Sequence, residues 1–423
     1  FDGGVNKDSS PTDFALQLIG LFSTTLGVDI DRCSKTRTPY GVSLAWKLKA
    51  DQGHSGMTVQ VHLKDNFKVK NKKRWSQVMY MSYILDFLME QSNEVRADET
   101  FILCTDADVH FNANNVEALL DLMTRDPSVG AVCARTHPQG NSPLVWYQTF
   151  EYAIGHWFQK TAEHVLGSVL CAPGCFSVYR CNAIKDVLPT YATNVESSFD
   201  FLTKDMGEDR WLCTLLVQSG WRIEYCAASE NTTHCPEDFD EFYKQRRRWI
   251  ASTIANLMIL IKEWGLIRKF NQRVSVFFVI YQAILLFSTL IGPATVILIV
   301  AGGLDYGWNV NPMTTIILQC LICIGFSLFC LYTSQDTQLK VAKILTFLYA
   351  MVMTGVAVGM AVQVSKSFSK EEGYVDEDKN VSTTVRSTTR NPDAISDNFP
   401  LSTTTLYLGI VIAIFTVTGL LHF

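Results

Sequence analysis

Hydrophobic and polar positions divide this chain in two. Up to about residue 250, short apolar runs alternate with polar ones; beyond it, apolar runs reach the length of a bilayer core. Residues 13–29 place apolar side chains at helical spacing and predict an amphipathic helix. A turn is expected at 53–56, where Gly53 and Gly56 cluster. Positions 57–63 alternate as a strand does, 64–74 are dense in lysine and asparagine, and 75–89 return to a helical pattern. Phe101-Ile102-Leu103-Cys104 reads as a short buried strand that stops at Thr105-Asp106-Ala107-Asp108. A helix over 116–123 and a strand over 129–133 follow. Strands alternating with helices predict an α/β domain over 1–250, built on a mixed sheet with helices on both faces.

The second half is organised by the membrane. Residues 251–273 carry Ile254, Leu257, Met258, Leu260, Ile261 and Trp264 against Lys262, Arg268 and Lys269, the pattern of a helix lying on the bilayer surface. A transmembrane region is expected over 274–423, with about four spans at 274–300, 313–332, 341–362 and 405–421, and a kink at Pro293. Lys262, Arg268, Lys269 and Arg273 precede the first span and Lys340 and Lys343 lie in a later short loop. The positive-inside rule therefore puts the first 250 residues in the cytosol and the loop at 364–404 outside. A multi-pass plasma-membrane protein is expected. That outer loop is rich in Ser, Thr, Asp and Asn and reads as disordered, with a glycosylation sequon at Asn380-Val381-Ser382. A second sequon, Asn231-Thr232-Thr233, falls on the cytosolic side and is expected to stay unmodified.

Composition sharpens this picture in few places. The hydrophobic share is 48% and the mean hydropathy +0.12, high for a purely soluble enzyme. A net charge of −5 makes no case for nucleic acid. The chain opens at Phe1 without a secretory signal and is expected to be part of a longer protein. Its 12 cysteines are scattered through apolar runs and form no disulfide framework. Cys320 and Cys323 make a C-x-x-C, but inside an apolar run where a zinc site is not expected. The spans contain almost no ionisable residue, which argues against a transporter.

Five motifs carry chemistry. Asp106 and Asp108 stand at the carboxyl end of a buried strand, where α/β sheets bind ligands, and two carboxylates so placed can share a hard divalent cation with phosphate oxygens. The bland alternative is a polar turn leading into the helix near Asn112. Glu208-Asp209-Arg210 opens a helical stretch. Acids there are ordinary helix caps, but Asp209 is also placed to act as a general base, with Arg210 orienting its carboxylate. Lys73, Arg74 and Gln77 open another helix, where cations and free amides suit a phosphate, or form a solvated basic face. Gln245-Arg246-Arg247-Arg248-Trp249 sets guanidinium forks beside an indole about 25 residues before the first span. That combination suits a diphosphate and the end of a glycan, or a plain positive flank with an interfacial Trp. Gly174 and Cys175 lie in the tight turn Cys171-Ala172-Pro173-Gly174-Cys175-Phe176, which is either part of an acceptor pocket, where glycine lets backbone approach a ligand closely, or a plain loop.

In this order and company the motifs resemble the chitin synthases, in particular the animal type, which are family-2 inverting glycosyltransferases related to cellulose and hyaluronan synthases. The resemblance covers about residues 40–340. Its most specific stretches are Lys73-Arg74-Trp75-Ser76-Gln77, 171–180, 207–216, and Thr233-His234-Cys235-Pro236-Glu237 through Trp249. It implies a GT-A glycosyltransferase domain followed by an interfacial helix and a helical transmembrane bundle. It further implies that Asp106 and Asp108 bind a divalent cation, Mg²⁺ or Mn²⁺, with the UDP moiety of UDP-GlcNAc. Asp209 would be the catalytic base, with Glu208 and Arg210 beside it. Lys73, Arg74, Gln77 and Arg248 would face the donor and its pyrophosphate, and Gln245, Trp249, Gly174 and Cys175 the growing chitin chain. A homo-oligomer is among the expected assemblies. The N-terminal strand and loop that hold uracil in this fold are not seen before Phe1, and the W-G-T-R-E-type motif is absent. Two other readings stay open at this stage: another family-2 polysaccharide synthase, and a non-catalytic membrane protein with a truncated transferase domain.

Overall fold

The computed structural model describes residues 3–6, 10–26, 29, 32–48, 57–89 and 96–381. Two compact units interleave along the chain. The first takes in Phe1–Gln139, Phe158–His234 and Arg246–Gln282; the second, Gly140–Trp157, Cys235–Gln245 and Ala283–Phe423.

The first unit holds two sheets. Strands β1 (Ser34–Thr38), β2 (Gly41–Lys47) and β3 (Thr58–Lys64) form an antiparallel meander. Val42, Leu44 and Trp46 of β2 and Val61 and Leu63 of β3 turn to one face and bury against Ala15 and Ile19 of the helix Asp13–Leu26. Alternation put Val61 and Leu63 on one side, as the sequence pattern predicted, but β3 belongs to this small sheet rather than the large one. The expected turn at 53–56 lies outside the described residues.

The larger sheet is mixed, as expected. Strands β4 (Phe101–Thr105), β5 (Val109–His110), β6 (Val129–Gln139), β7 (Phe176–Arg180) and β8 (Arg222–His234) run in the order β4-β7-β6-β8-β5. Only β6 and β8 are parallel; the other pairs are antiparallel. Every residue of β7 and the first six of β6 are buried, so both pleat faces are covered. Leu119 and Met123 of the helix Ala113–Arg125 pack on Val132, Ala134, Phe176, Val178 and Cys226. The helices Cys181–Tyr191 and Glu208–Gln218 also pack against β6–β8. Each such buried Val, Leu or Phe contributes about 1.5–3 kcal/mol.

Helix Phe239–Lys262 begins 12 residues before the expected start at 251 and carries the arginine run within it. Asp238 caps it by accepting from the N–H of Asp240 at 3.1 Å, and no glycine or proline interrupts it before Lys262. A 68° bend then leads into Trp264–Phe270.

Three helices among the described residues are long and apolar enough to cross a membrane: Val276–Trp308, Pro312–Tyr332 and Gln335–Lys366. They match the first three expected spans; the fourth, 405–421, lies outside the described residues. Pro293 sits within an uninterrupted helix. The last helix runs on to Val381, past the expected loop start at 364, because helix formers such as Lys366, Lys370, Glu371 and Glu372 follow with no proline. Within the second unit, the backbones of Gly307 and Gly359 meet, and the Trp308 indole N–H donates to the Gly355 carbonyl at 2.8 Å. The start of Val276–Trp308 belongs to the first unit. There Phe278 and Gln282 are fully buried, Gln282 Nε2 donates to Glu163 Oε1 at 3.2 Å, and Ser275 Oγ donates to the Leu166 carbonyl at 3.0 Å.

Candidate active site

The carboxyl end of β4 gathers the acidic motifs. The Asp106 N–H donates to the Cys175 carbonyl at 3.1 Å, which ties the D-x-D loop to the Cys171–Phe176 turn. Asp108, exposed, accepts from the Thr233 hydroxyl of β8 at 3.3 Å. Lys73, in the first turn of the helix Lys73–Ser82, brings its Nζ to 3.3 Å from Asp106 Oδ1 and 3.8 Å from Glu208 Oε1. Burial disfavours its charge, but Asp209, Asp106 and Glu208 outweigh burial and raise its pKa. Lys73 is thus a fixed cation amid three carboxylates.

Glu208 and Asp209 occupy the first turn of the helix Glu208–Gln218, where the helix dipole favours carboxylates. Glu208 is buried. Burial and the neighbouring Asp209 push its carboxyl up, while Lys73 and Arg248 pull it back. Asp209 lies against backbone: a Cβ added at Gly174 would stand 2.9 Å from its Oδ1. Gln77 Nε2 donates to the same oxygen at 3.4 Å. Arg210, expected to orient this carboxylate, forms no ion pair among the described residues. Consecutive helix positions do not face the same way, so Gly174 and Gln77 hold Asp209 instead.

Arg74 is turned inward rather than toward a nucleotide. Only 1% exposed, it donates from Nε to Asp205 Oδ1 at 2.7 Å and from Nη1 to the carbonyls of Tyr191 and Thr193 at 2.7 and 2.9 Å. Burial opposes ionisation of Asp205, yet its bonds to Lys72 and Arg74 outweigh that and hold its carboxyl below the ordinary range. The basic run therefore splits by position: Lys73 faces the acids, and Arg74 locks the helix to the end of Cys181–Tyr191.

The arginine run splits in the same way. Arg246 is buried with its guanidinium 4.3 Å from the centroid of the Trp249 ring, Arg247 is exposed, and Arg248 acts on the Glu208 carboxyl. One face of Trp249 is therefore covered by Arg246. Gln245 precedes them on the same helix, in the second unit. Farther along that helix, Ser252 leaves no room for a Cβ on Gly207. Asn256 accepts from the Thr214 hydroxyl at 3.3 Å and donates to the Ser252 carbonyl at 2.9 Å. The helix bearing Asp209 and the helix bearing Arg248 are thus seated against each other.

Cys175 Sγ lies 3.6 Å from Thr136 Oγ1, and burial pushes its thiol up to about 11. Cys104 is pushed up to about 12 by burial and then by Asp209. Neither thiol is a nucleophile at neutral pH. Cys175 contributes its carbonyl, not its sulfur, to the D-x-D loop. None of the twelve cysteines is in a disulfide, and no cluster of three or more His, Cys, Asp or Glu among the described residues is poised to hold a metal. The residues still fit a cation that arrives with phosphate. Among the described residues Asp108 is an exposed carboxylate with a single hydroxyl partner, and Mg²⁺ is commonly held by one or two carboxylates plus substrate oxygens. Asn231 is 1% exposed with its amide donating to the Arg135 carbonyl at 3.0 Å, so its sequon is closed in the folded chain.

A sequence family described as chitin synthase matches residues 76–357. The chain belongs to the chitin synthase family. It is 41% identical over 340 residues to chitin synthase chs-2 of Caenorhabditis elegans, covering 78% of this chain and 20% of that one. With the chitin synthase of Meloidogyne artiellia it shares 43% over 316 residues, 73% of this chain and 17% of that one. With chitin synthase 6 of Mycosarcoma maydis it shares 32% over 261 residues, 54% and 22%. The greater likeness to the nematode members accords with the animal type. The chain spans about a fifth of the length of these relatives. A solved mannosyltransferase of Pyrobaculum calidifontis, in complex with GDP-Man and Mn²⁺, aligns at a TM-score of 0.32 and 12% identity over 67% of this chain and 66% of that one, a likeness too slight to argue from.

Proposed function

We propose that this chain carries the catalytic centre of a processive chitin synthase. It transfers N-acetylglucosamine from UDP-GlcNAc to the 4-hydroxyl at the non-reducing end of a β-1,4 chain, with inversion. The reading is supported above all by the cage around Asp209: a carboxylate set against the Gly174 backbone and the Gln77 amide, beside the Lys73 cation. A sugar hydroxyl is a poor nucleophile and needs such a fixed base. Asp209 takes the hydroxyl proton as the oxygen attacks the anomeric carbon. The bond from that carbon to the diphosphate oxygen breaks on the opposite face, and its electron pair leaves with UDP. Lys73 and Arg248 supply positive charge for the departing diphosphate. A divalent cation, held by Asp108 and Asp106, would neutralise further charge on that diphosphate when bound. The indole of Trp249 receives the acceptor sugar.

The catalytic unit faces the cytosol of a plasma-membrane enzyme, and the apolar helices carry the product outward. The test is incorporation of labelled GlcNAc from UDP-GlcNAc into insoluble, chitinase-sensitive polymer by membranes, with divalent cation and with EDTA. An Asp209→Asn enzyme is expected to bind UDP and make no polymer. Robust synthesis by that variant would remove Asp209 from the mechanism, and EDTA-resistant synthesis would remove the cation.

A further inference from the structure

Gln77 stands between two groups with opposite demands. Its Oε1 accepts from the Tyr191 hydroxyl at 2.5 Å, and its Nε2 donates to Asp209 Oδ1 at 3.4 Å. A side-chain amide can offer either its oxygen or its N–H to a neighbour. Turned the other way, it would set its oxygen against a carboxylate oxygen, two acceptors with no proton between them. The phenol decides the matter. Tyr191 is fully buried, and burial followed by the charges of Asp209 and Glu208 raises its pKa well above the ordinary value, so it remains an O–H donor and claims the amide oxygen. Its backbone is fixed in turn by Arg74, which lies one helical turn from Gln77 on the same face of Lys73–Ser82.

We propose that Tyr191 is a positioning residue that acts through Gln77: its hydroxyl holds the amide with N–H toward Asp209, which restrains one carboxylate oxygen and leaves the other to meet the acceptor hydroxyl. This rests on the reading of Asp209 as the base. The chain Arg74–Tyr191–Gln77–Asp209 thereby links a buried ion pair to the reacting group without any of the first three touching substrate. Gln77, expected from the sequence to bind the donor, serves the base instead.

The test uses the intact membrane enzyme with Tyr191→Phe, Gln77→Met and the double variant. Tyr191→Phe removes one hydroxyl and keeps the ring. Loss of one positioning hydrogen bond is expected to lower kcat about tenfold with the KM for UDP-GlcNAc within about twofold of wild type. The double variant should be no slower than Gln77→Met alone, because both act through one bond. A wild-type kcat for Tyr191→Phe, losses that multiply in the double variant, or a raised KM at unchanged kcat would each overturn the proposal. Asp209→Asn separates the two levels. If it makes polymer at near the wild-type rate, the base assignment falls and the relay with it. If it is dead while Tyr191→Phe and Gln77→Met run at wild-type rate, only the relay falls.

Discussion

The two acidic motifs are held in opposite ways. Asp106 and Asp108 sit on a loop in partial or full exposure, their carboxylates restrained only by the Lys73 ammonium and the Thr233 hydroxyl among the described residues. Asp209 sits at a helix start, pressed on Gly174, bonded by Gln77 and backed by the buried set Tyr191, Arg74 and Asp205. The difference follows the work proposed for each. A group that grips an incoming diphosphate is completed by its ligand, so it needs reach and free lone pairs. A base must be in place before the acceptor arrives, because an ångström of misplacement costs about a hundredfold in rate.

That contrast can be broken by measurement. Asp209→Asn should lower kcat about 10²–10⁴-fold without weakening UDP binding; an equal loss of UDP affinity would make it a donor ligand like Asp108. Asp205→Asn should destabilise the first unit by about 3–5 kcal/mol at neutral pH, since it leaves the buried Arg74 charge without its carboxylate. The pH dependence has a definite sign. Asp205 is held below its ordinary value of 3.8, so its contribution is present above that value and lost as pH falls through the folded one. The Asp205→Asn penalty, read by thermal unfolding, should therefore shrink on acidification; growth of the penalty would contradict the pairing. Gly174→Ala should cost about a hundredfold in kcat by displacing the Asp209 carboxylate, with donor KM unchanged. Asp108→Asn should act on the other side, raising the KM for UDP-GlcNAc and the divalent-cation requirement about tenfold. If Asp108→Asn lowered kcat as Asp209→Asn does, the division of labour would be wrong.

Much of the candidate site is legible in the sequence because its parts lie beside strand ends and helix starts, where spacing alone locates them. Asp106, Asp108, Gly174 and Asp209 are of this kind. What could not be read is orientation. Lys73 and Arg74 are neighbours with the same charge, and only the turn of the helix sends one to the carboxylates and the other into the interior. Arg210 looked like the partner of Asp209 for the same reason, adjacency, which a helix does not honour. Tyr191 and Asp205 left no signal, since Tyr191 reaches Gln77 across 114 positions and Arg74 reaches Asp205 across 131. In the fold, β1 and β2 are short stretches around Pro39-Tyr40 with little sequence signal, and the separate sheet of β3 is not legible because alternation gives a strand's buried side but not its partner.

Biochemists often prepare a membrane enzyme's catalytic part by cutting where hydrophobic sequence begins. Here that cut would fall near Arg273 and remove Val274, Ser275, Phe278 and Gln282, which are packed among residues of the first unit. The Glu163 carboxylate would lose a donor, and the surface that Phe278 covers would meet water. About two turns of apolar helix thus belong to the first unit rather than to the membrane-spanning part, and a fragment that keeps that unit's shape has to extend through Gln282.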